Sequence, residues 1–385
     1  MDALDHLILF ADLVGSTDVA CELPIEAYAR TYIGSFHWAA DKAFRLLAEA
    51  GPAYEEVGQK FKREIAREEW AIVGDELTSI THLNGRSEEE LKSLVVCACA
   101  FAYNLKLYWL LSPYNLCRLQ NRQFPRDLAV GIHIGPLAPV SKSITTAAGL
   151  HLSVAKRIET EARTGIESRI FASPDIIHFF NAWAAAAKSS RFQEIPPICS
   201  TVFHRREKAV EAKGIPKPLR VSELEWNENV LNDISFWERM MDSDQDLPGN
   251  VWDNTADAIA KTVYEPREGE FRFDHDKERT LPNYASELID LLIEEPAKYV
   301  RQWFAAIESQ PKIFADEAWL VLNTLFITVA LYRYVKTESG MKAVGVTKQE
   351  TAAYRETAKR VLNNWTALRQ AAKDRQPDCP SIKEP

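Results

Sequence analysis

The chain has 385 residues, and at roughly 150 residues per domain it has room for two or three folded units, each with its own core. Its 55 acidic and 46 basic residues leave a net charge of -9, and 46% hydrophobic with 26% charged residues excludes disorder as the main theme. A net negative surface repels phosphate backbones and no basic cluster offsets it, so no nucleic-acid partner is expected.

Cys21, Cys97, Cys99, Cys117, Cys199 and Cys379 form no CxxC pair and no zinc-spaced group with histidine, and read as reduced thiols. The opening MDALDHLILFADLVGST has no basic n-region and its apolar run breaks at Asp12, so it does not read as a secretory signal. A cytoplasmic location is expected. Two apolar stretches need checking as membrane spans. Leu94–Leu111 is interrupted by Asn104 and Lys106, and Ala318–Tyr332 falls short of the roughly 20 residues a helix needs to cross a bilayer. Both are expected to be buried helices, with no membrane partner.

Taken in chain order, His6–Ala11 is a strand candidate ending at Asp12, and Pro24–Ala50 places apolar residues at helical spacing. Trp70–Val73 and Leu77–Ile80 are short strand-like runs joined by Gly74-Asp75-Glu76, a hairpin pattern with glycine at the bend. Glu88–Leu111 predicts a long apolar helix, Leu128–Ile134 another strand and Leu150–Ala162 an amphipathic helix. Short strands alternating with helices up to about Leu224 predict an α/β or α+β domain. Beyond Val221 the texture changes: Ala285–Phe304, Asp316–Tyr334 and Lys348–Ala371 are helical in period. The division expected is 1–224 for the first domain and 225–385 for a mainly helical second one. Trp303, Trp319, Phe326, Tyr332 and Tyr334 read as core or interface aromatics of the latter.

No GxxxxGK and no GxGxxG occurs, so the common phosphate-cradling loops are missing from the sequence. Five segments in fixed order are distinctive together: Phe10-Ala-Asp12-Leu-Val-Gly-Ser16-Thr17, Val73-Gly74-Asp75-Glu76, Val130-Gly131-Ile132-His133-Ile134-Gly135, Gly149-Leu-His-Leu-Ser153-Val-Ala-Lys-Arg157, and Ala212-Lys213-Gly214-Ile215-Pro216-Lys217-Pro218-Leu219-Arg220-Val221. This series resembles the catalytic domain of class III nucleotide cyclases over nearly all of residues 4 to 224. The resemblance implies an α+β fold, a ferredoxin-like βαββαβ core with additions, followed here by the helical region.

The residues support that chemistry on their own terms. Cyclisation aims a deprotonated ribose 3′-hydroxyl at the α-phosphate while pyrophosphate leaves, a task suited to two divalent cations held by carboxylates. Asp12 at a strand end and Asp75 in a hairpin bend can project carboxylates from a rigid sheet. They are the metal candidates, with Mg²⁺ or Mn²⁺ as the ions and the Leu13 backbone carbonyl as a further ligand. The Gly15, Ser16 and Thr17 backbone N–H groups at a helix start are phosphate candidates. The competing reading is that Asp12 and Ser16 only cap that helix. Ser153 and Arg157, four apart, share one helix face. By the resemblance, Arg157 takes the place of the transition-state arginine, and Ser153 stands where the family has a ribose-positioning asparagine. Lys213 and Lys217 are both candidates for a phosphate-contacting lysine.

Two positions that carry purine selection in the family are Ala71 and Thr146 here, and alanine can neither donate nor accept a hydrogen bond. Absence of the purine code with retention of Asp12, Asp75 and Arg157 resembles the pyrimidine cyclases of the bacterial Pycsar antiphage system. That implies UTP as substrate, cyclic UMP as product, a homodimer with shared active sites, and a helical region that answers to an unknown phage-derived signal. CTP is the first alternative, ATP the second, and a non-catalytic nucleotide-binding module the third. Tyr54 can fill the space a smaller base leaves, or be a half-buried loop aromatic. His133, a single histidine on an apolar strand, reads as core.

Overall fold

The computed structural model describes residues 6–49, 71–138, 149–189, 201–211, 217–226, 237–238, 241, 296–309 and 318–375. Seven strands form one mixed sheet: β1 (His6–Leu13), β2 (Ala71–Val73), β3 (Glu76–His82), β4 (Leu128–Gly135), β5 (Ile170–Ala172), β6 (Thr201–Val210) and β7 (Leu219–Trp226), in the order β2-β3-β1-β4-β5-β7-β6. The antiparallel pairs β2·β3, β3·β1 and β1·β4 give the first four strands the ferredoxin-like arrangement. β5 adds in parallel to β4, which requires a crossover, and the helix α5 (Leu150–Ala162) supplies it. The fold is α+β.

β1 lies in the middle of this core and is buried over its whole length. Leu7, Leu9, Ala11 and Leu13 face the main helical core, while Ile8 and Phe10 pack with Ile80, Leu137 and Ala155 on the α5 side. The strand runs two residues past the expected Ala11, because Asp12 and Leu13 still pair with Ala129 and Leu128 of β4. A carboxylate at a covered strand position interrupts the apolar pattern without ending the ladder.

After α1 (Ser16–Glu22), the expected single helix over Pro24–Ala50 is instead a turn at Ile25–Ala27, a π-helical segment at Tyr28–Ile33 and α2 (Gly34–Glu49). The wider turn keeps helical spacing in the sequence, and Tyr32 of this segment packs edge-on against Trp109 and Tyr114. α3 (Glu88–Leu111) starts with a capping box: Ser87 Oγ accepts from Glu90 N–H at 3.3 Å, and the Ser87 N–H donates to Glu90 Oε2 at 2.9 Å. Glu88, Glu89 and Glu90 in its first turn suit the helix dipole. From Leu94 to Leu111 every residue is buried, so its uniform apolarity reflects protein on all sides. Ser112 and Pro113 end it and start α4 (Pro113–Gln120), with Pro at the first helical position where no N–H is needed.

α6 (Pro174–Ser189), α7 (Pro296–Ser309), α8 (Ala318–Lys336), α9 (Glu338–Val344) and α10 (Lys348–Arg375) complete the described helices. α7 packs on α4 and α10, and α8 on α3 and α10. Trp303, Trp319, Phe326 and Tyr332 are buried in the same apolar cluster as Leu9 and Phe101, with Tyr334 partly buried against it.

Lys106, which breaks the apolar run of α3, is buried. Its ammonium donates to Asp127 Oδ1 and the Leu128 carbonyl, both at 2.8 Å, while Arg169 Nη1 lies 3.3 Å from Asp127 Oδ2. Lys106 and Arg169 each lie 5.6 Å from the Trp319 ring of α8. A buried charge is tolerated when paired and hydrogen-bonded, and this one joins α3, the start of β4 and α8. Cys97 and Cys99 are buried thiols, and Cys21 and Cys117 are exposed ones.

Candidate functional site

The β1·β3 ladder places Asp12 opposite Glu76, which the tight turn at Gly74 and Asp75 immediately precedes. Gly74 takes φ +63°, a left-handed conformation that favours glycine. The Leu13 N–H donates to the Asp75 carbonyl at 3.3 Å, so the Asp75 turn is fixed beside the residue following Asp12. Asp12 is 8% exposed. Burial raises its carboxyl above the ordinary value, Lys156 opposes that rise, the nearby Asp75 charge adds to it and Arg163 opposes it. Two carboxylates thus share one end of the central strands.

α5 supplies cations to this end. It lies close on β4 because Gly131 has no side chain: a Cβ there would come within 2.4 Å of the Glu159 nitrogen and 2.7 Å of the Ala155 carbonyl oxygen. Lys156 Nζ is 2.8 Å from Asp12 Oδ2 and 3.0 Å from Glu159 Oε2, and it also pairs with Glu76. Arg163 Nη2 is 2.6 Å from Asp12 Oδ2, and its Nε is 3.0 Å from Glu159 Oε1. Burial works against the Lys156 charge, but Asp12, Glu76 and Glu159 together raise its pKa. Burial raises the Glu159 carboxyl against the pull of Lys156 and Arg163. The sequence reading missed Lys156, Glu159 and Arg163. Their spacing of three and four residues, one helix face, was the available signal.

Ser153 and Arg157 are exposed on α5, whereas Lys156, Glu159 and Arg163 turn toward the sheet. Within one chain the helix therefore presents two polar faces, and Arg157 is on the outer one. Gly15 is the N-cap of α1 with φ +78°; Ser16 is half-buried and Thr17 exposed. Lys217 is exposed between β6 and β7, and Ala71 of β2 pairs through its backbone with Thr78 of β3. Lys213, Thr146 and Tyr54 lie outside the described residues.

Tyr28 and Tyr32 of the π-helical segment also neighbour the carboxylates. Burial raises both phenols; Asp75 and then Asp12 add to the rise at Tyr28, and Tyr114 and then Asp75 at Tyr32. His133 is buried, as expected of a core histidine, and its Nε2 lies 2.9 Å from His151 Nδ1 of α5.

Asp12 and Asp75 offer hard oxygen donors of the kind Mg²⁺ and Mn²⁺ take. Among the described residues no group of three or more His, Cys, Asp or Glu side chains surrounds a cation position. Mg²⁺ is commonly held by one or two carboxylates plus substrate phosphates, so a carboxylate pair is a sufficient protein share. Lys156 and Arg163 meet the same demand for positive charge at Asp12 in the free chain.

No family profile matches the chain. No curated protein matches it either. Solved structures similar to it include the guanylyl cyclase Cya2, at 16% identity and TM-score 0.33, covering 57% of this chain and 90% of that one. The guanylate cyclase domain of RhGC from Catenaria anguillulae in complex with GTP is 10% identical at TM-score 0.34, covering 58% and 97%. The catalytic core of a rhodopsin-guanylyl cyclase with converted specificity, in complex with ATPalphaS, is 11% identical at TM-score 0.34, covering 58% and 97%. Likeness at this level does not identify the chain, and the functional reading rests on the residues themselves.

Proposed function

We propose that the protein is a homodimeric nucleotide cyclase converting UTP to 3′,5′-cyclic UMP and pyrophosphate, as a cytoplasmic second-messenger enzyme of antiphage defence. The observation that carries this reading is the juxtaposition of Asp12 and Asp75 by the β1·β3 ladder and the Leu13–Asp75 backbone bond. It supports the motif resemblance with geometry that spacing alone leaves open.

In this reading Asp12 and Asp75, with the Leu13 carbonyl, hold Mg²⁺ or Mn²⁺. The bound ions supply charge neutralisation of the triphosphate and ionisation of the 3′-hydroxyl. The new bond joins the 3′-oxygen to the α-phosphorus, the α–β phosphoanhydride bond breaks, the hydroxyl proton passes to solvent water and pyrophosphate departs. Gly15, Ser16 and Thr17 face phosphate oxygens, with Lys213 or Lys217 as an added contact. Arg157 stabilises charge on the reacting phosphate and Ser153 positions the ribose, both from the partner chain. Their exposure on α5 leaves both side chains accessible to a second copy, which supports a site completed by it.

Ala71 offers no hydrogen bond to a purine edge, and with Thr146 and Tyr54 it defines the base preference, UTP first and CTP second. Incubating the protein with each of the four NTPs and Mn²⁺ tests this. ATP and GTP should turn over about tenfold to a hundredfold less efficiently than UTP or CTP. Efficient ATP conversion without pyrimidine turnover would reject the base assignment. One observation favours a second reading, a nucleotide-binding module without turnover: Lys156 and Arg163 already engage Asp12. Nucleotide binding without any cyclic product would establish it.

A further inference from the structure

The loop leaving β1 is held on two sides, by Asp75 through the Leu13 N–H and by Asp127, whose carbonyl accepts from the Val14 N–H at 2.9 Å. Next to Asp127, the Arg126 side chain lies against this loop. A Cβ on Gly15 would approach Arg126 Nη1 to 2.7 Å and Cζ to 3.5 Å, which places the guanidinium tip directly against this loop. The left-handed φ of +78° at Gly15 favours glycine there.

The main chain that carries this arginine is fixed without help from its side chain. The Arg126 N–H donates to Asn115 Oδ1 at 2.8 Å, and its carbonyl accepts from Trp109 Nε1 at 2.8 Å and Asn115 Nδ2 at 3.0 Å. The guanidinium, by contrast, has unspent donors. Its Nε is buried and has no hydrogen-bond partner. Nη1 has an ionic contact with Asp18 at 4.0 Å, the outer limit for an ion pair, and that carboxylate side chain is 70% exposed. Such a contact is worth little. The Tyr32 hydroxyl, fully buried, also has no partner. Asp75 and Arg126 both act on that phenol, placing the arginine and the turn carboxylate around one tyrosine.

A buried donor without an acceptor is costly, and a planar guanidinium matches the oxygens of a phosphate with two parallel hydrogen bonds. We propose that Arg126 binds the polyphosphate tail of the nucleotide, from the same chain as Asp12 and Asp75. This rests on the nucleotide reading above and adds a residue that the five sequence motifs omit. The tail is the part of the substrate that must lie beside the carboxylates if cations bridge the two, and Arg126 is the cation that faces Gly15 there.

The test is calorimetric titration of the full chain with sodium tripolyphosphate in the presence of Mn²⁺, using wild type, Arg126→Gln and Arg126→Lys. Arg126→Gln should weaken tripolyphosphate binding about tenfold to a hundredfold, with Arg126→Lys in between. Melting temperatures should stay the same, since the Asn115 and Trp109 contacts use the main chain. With UTP, KM should rise by a similar factor and kcat should change less. Should the glutamine variant lose its thermal transition, the lysine variant carries the comparison, because it keeps the charge but not the fork. Absence of tripolyphosphate binding by wild type, or binding by both variants within twofold of wild type, overturns the assignment. If wild type binds, the variants lose binding and no NTP yields a cyclic product, Arg126 stands and the cyclase reading falls. If cyclic product forms while both variants bind normally, the reverse holds.

Discussion

Lys156 Nζ lies 2.8 Å from Asp12 Oδ2, joining the central strand to the helix that carries Arg157. The two adjacent residues Lys156 and Arg157 thus have different surroundings: one neutralises the carboxylate of its own chain, and the other is exposed. The close seat of α5 on Gly131 makes the first of these contacts possible.

Replacing Lys156 by methionine removes the cation paired with Glu76 and leaves Asp12 and the fully buried Glu159 paired with Arg163. The Lys156 side chain is 35% exposed, which screens the interaction, so a loss of about 1–2 kcal/mol is expected in urea denaturation. Mn²⁺ should restore the melting temperature of Lys156→Met more than it raises that of wild type, because a bound cation replaces the missing charge. Equal shifts in both proteins would show that Asp12 does not hold the ion.

Asp12→Asn and Asp75→Asn should each reduce cyclic product to background while the far-ultraviolet circular dichroism stays unchanged. Both are near-isosteric and preserve the ladder around Gly74. Substantial turnover by both variants would reject the carboxylate pair as the metal site.

Arg157→Ala should also be inactive, with little change in stability, since its side chain is on the exposed face of α5. Mixing it with inactive Asp12→Asn should recover activity, because a two-fold pair of unlike chains contains one complete site. Failure to recover, in mixed dimers demonstrated by mass, would place the whole site within one chain.

Burial, with a smaller contribution from His151, depresses the His133 pKa from 6.5 to about 3. The unfolded chain takes up this proton as pH falls through about 6.5, while the folded chain resists until about 3. Stability from the neutral imidazole is therefore present above the unfolded value and is lost progressively on acidification through that window. Chemical denaturation at pH 7 and pH 5 should show a smaller drop for His133→Leu than for wild type. An equal drop would indicate that His133 titrates alike in both states.

Sequence pattern by itself determined the elements whose signals are local. The Gly74-Asp75 bend, the long apolar helix Glu88–Leu111 and the amphipathic Leu150–Ala162 helix follow from turn chemistry and periodicity. It also named Asp12 and Asp75 as candidates, but their meeting depends on the long-range pairing of β1 with β3. What only the tertiary structure decided involves residues far apart in sequence. Lys156 and Arg163 reach Asp12 across 144 and 151 positions, through the glycine that lets α5 settle on β4. Lys106 looks like an interruption of an apolar helix until Asp127, Arg169 and Trp319 surround it. Arg126 lies outside every motif, and only the path of β1 past the start of β4 sets its guanidinium against Gly15. Local pattern records which backbone a segment prefers; the partner of a buried charge depends on which segments pack together.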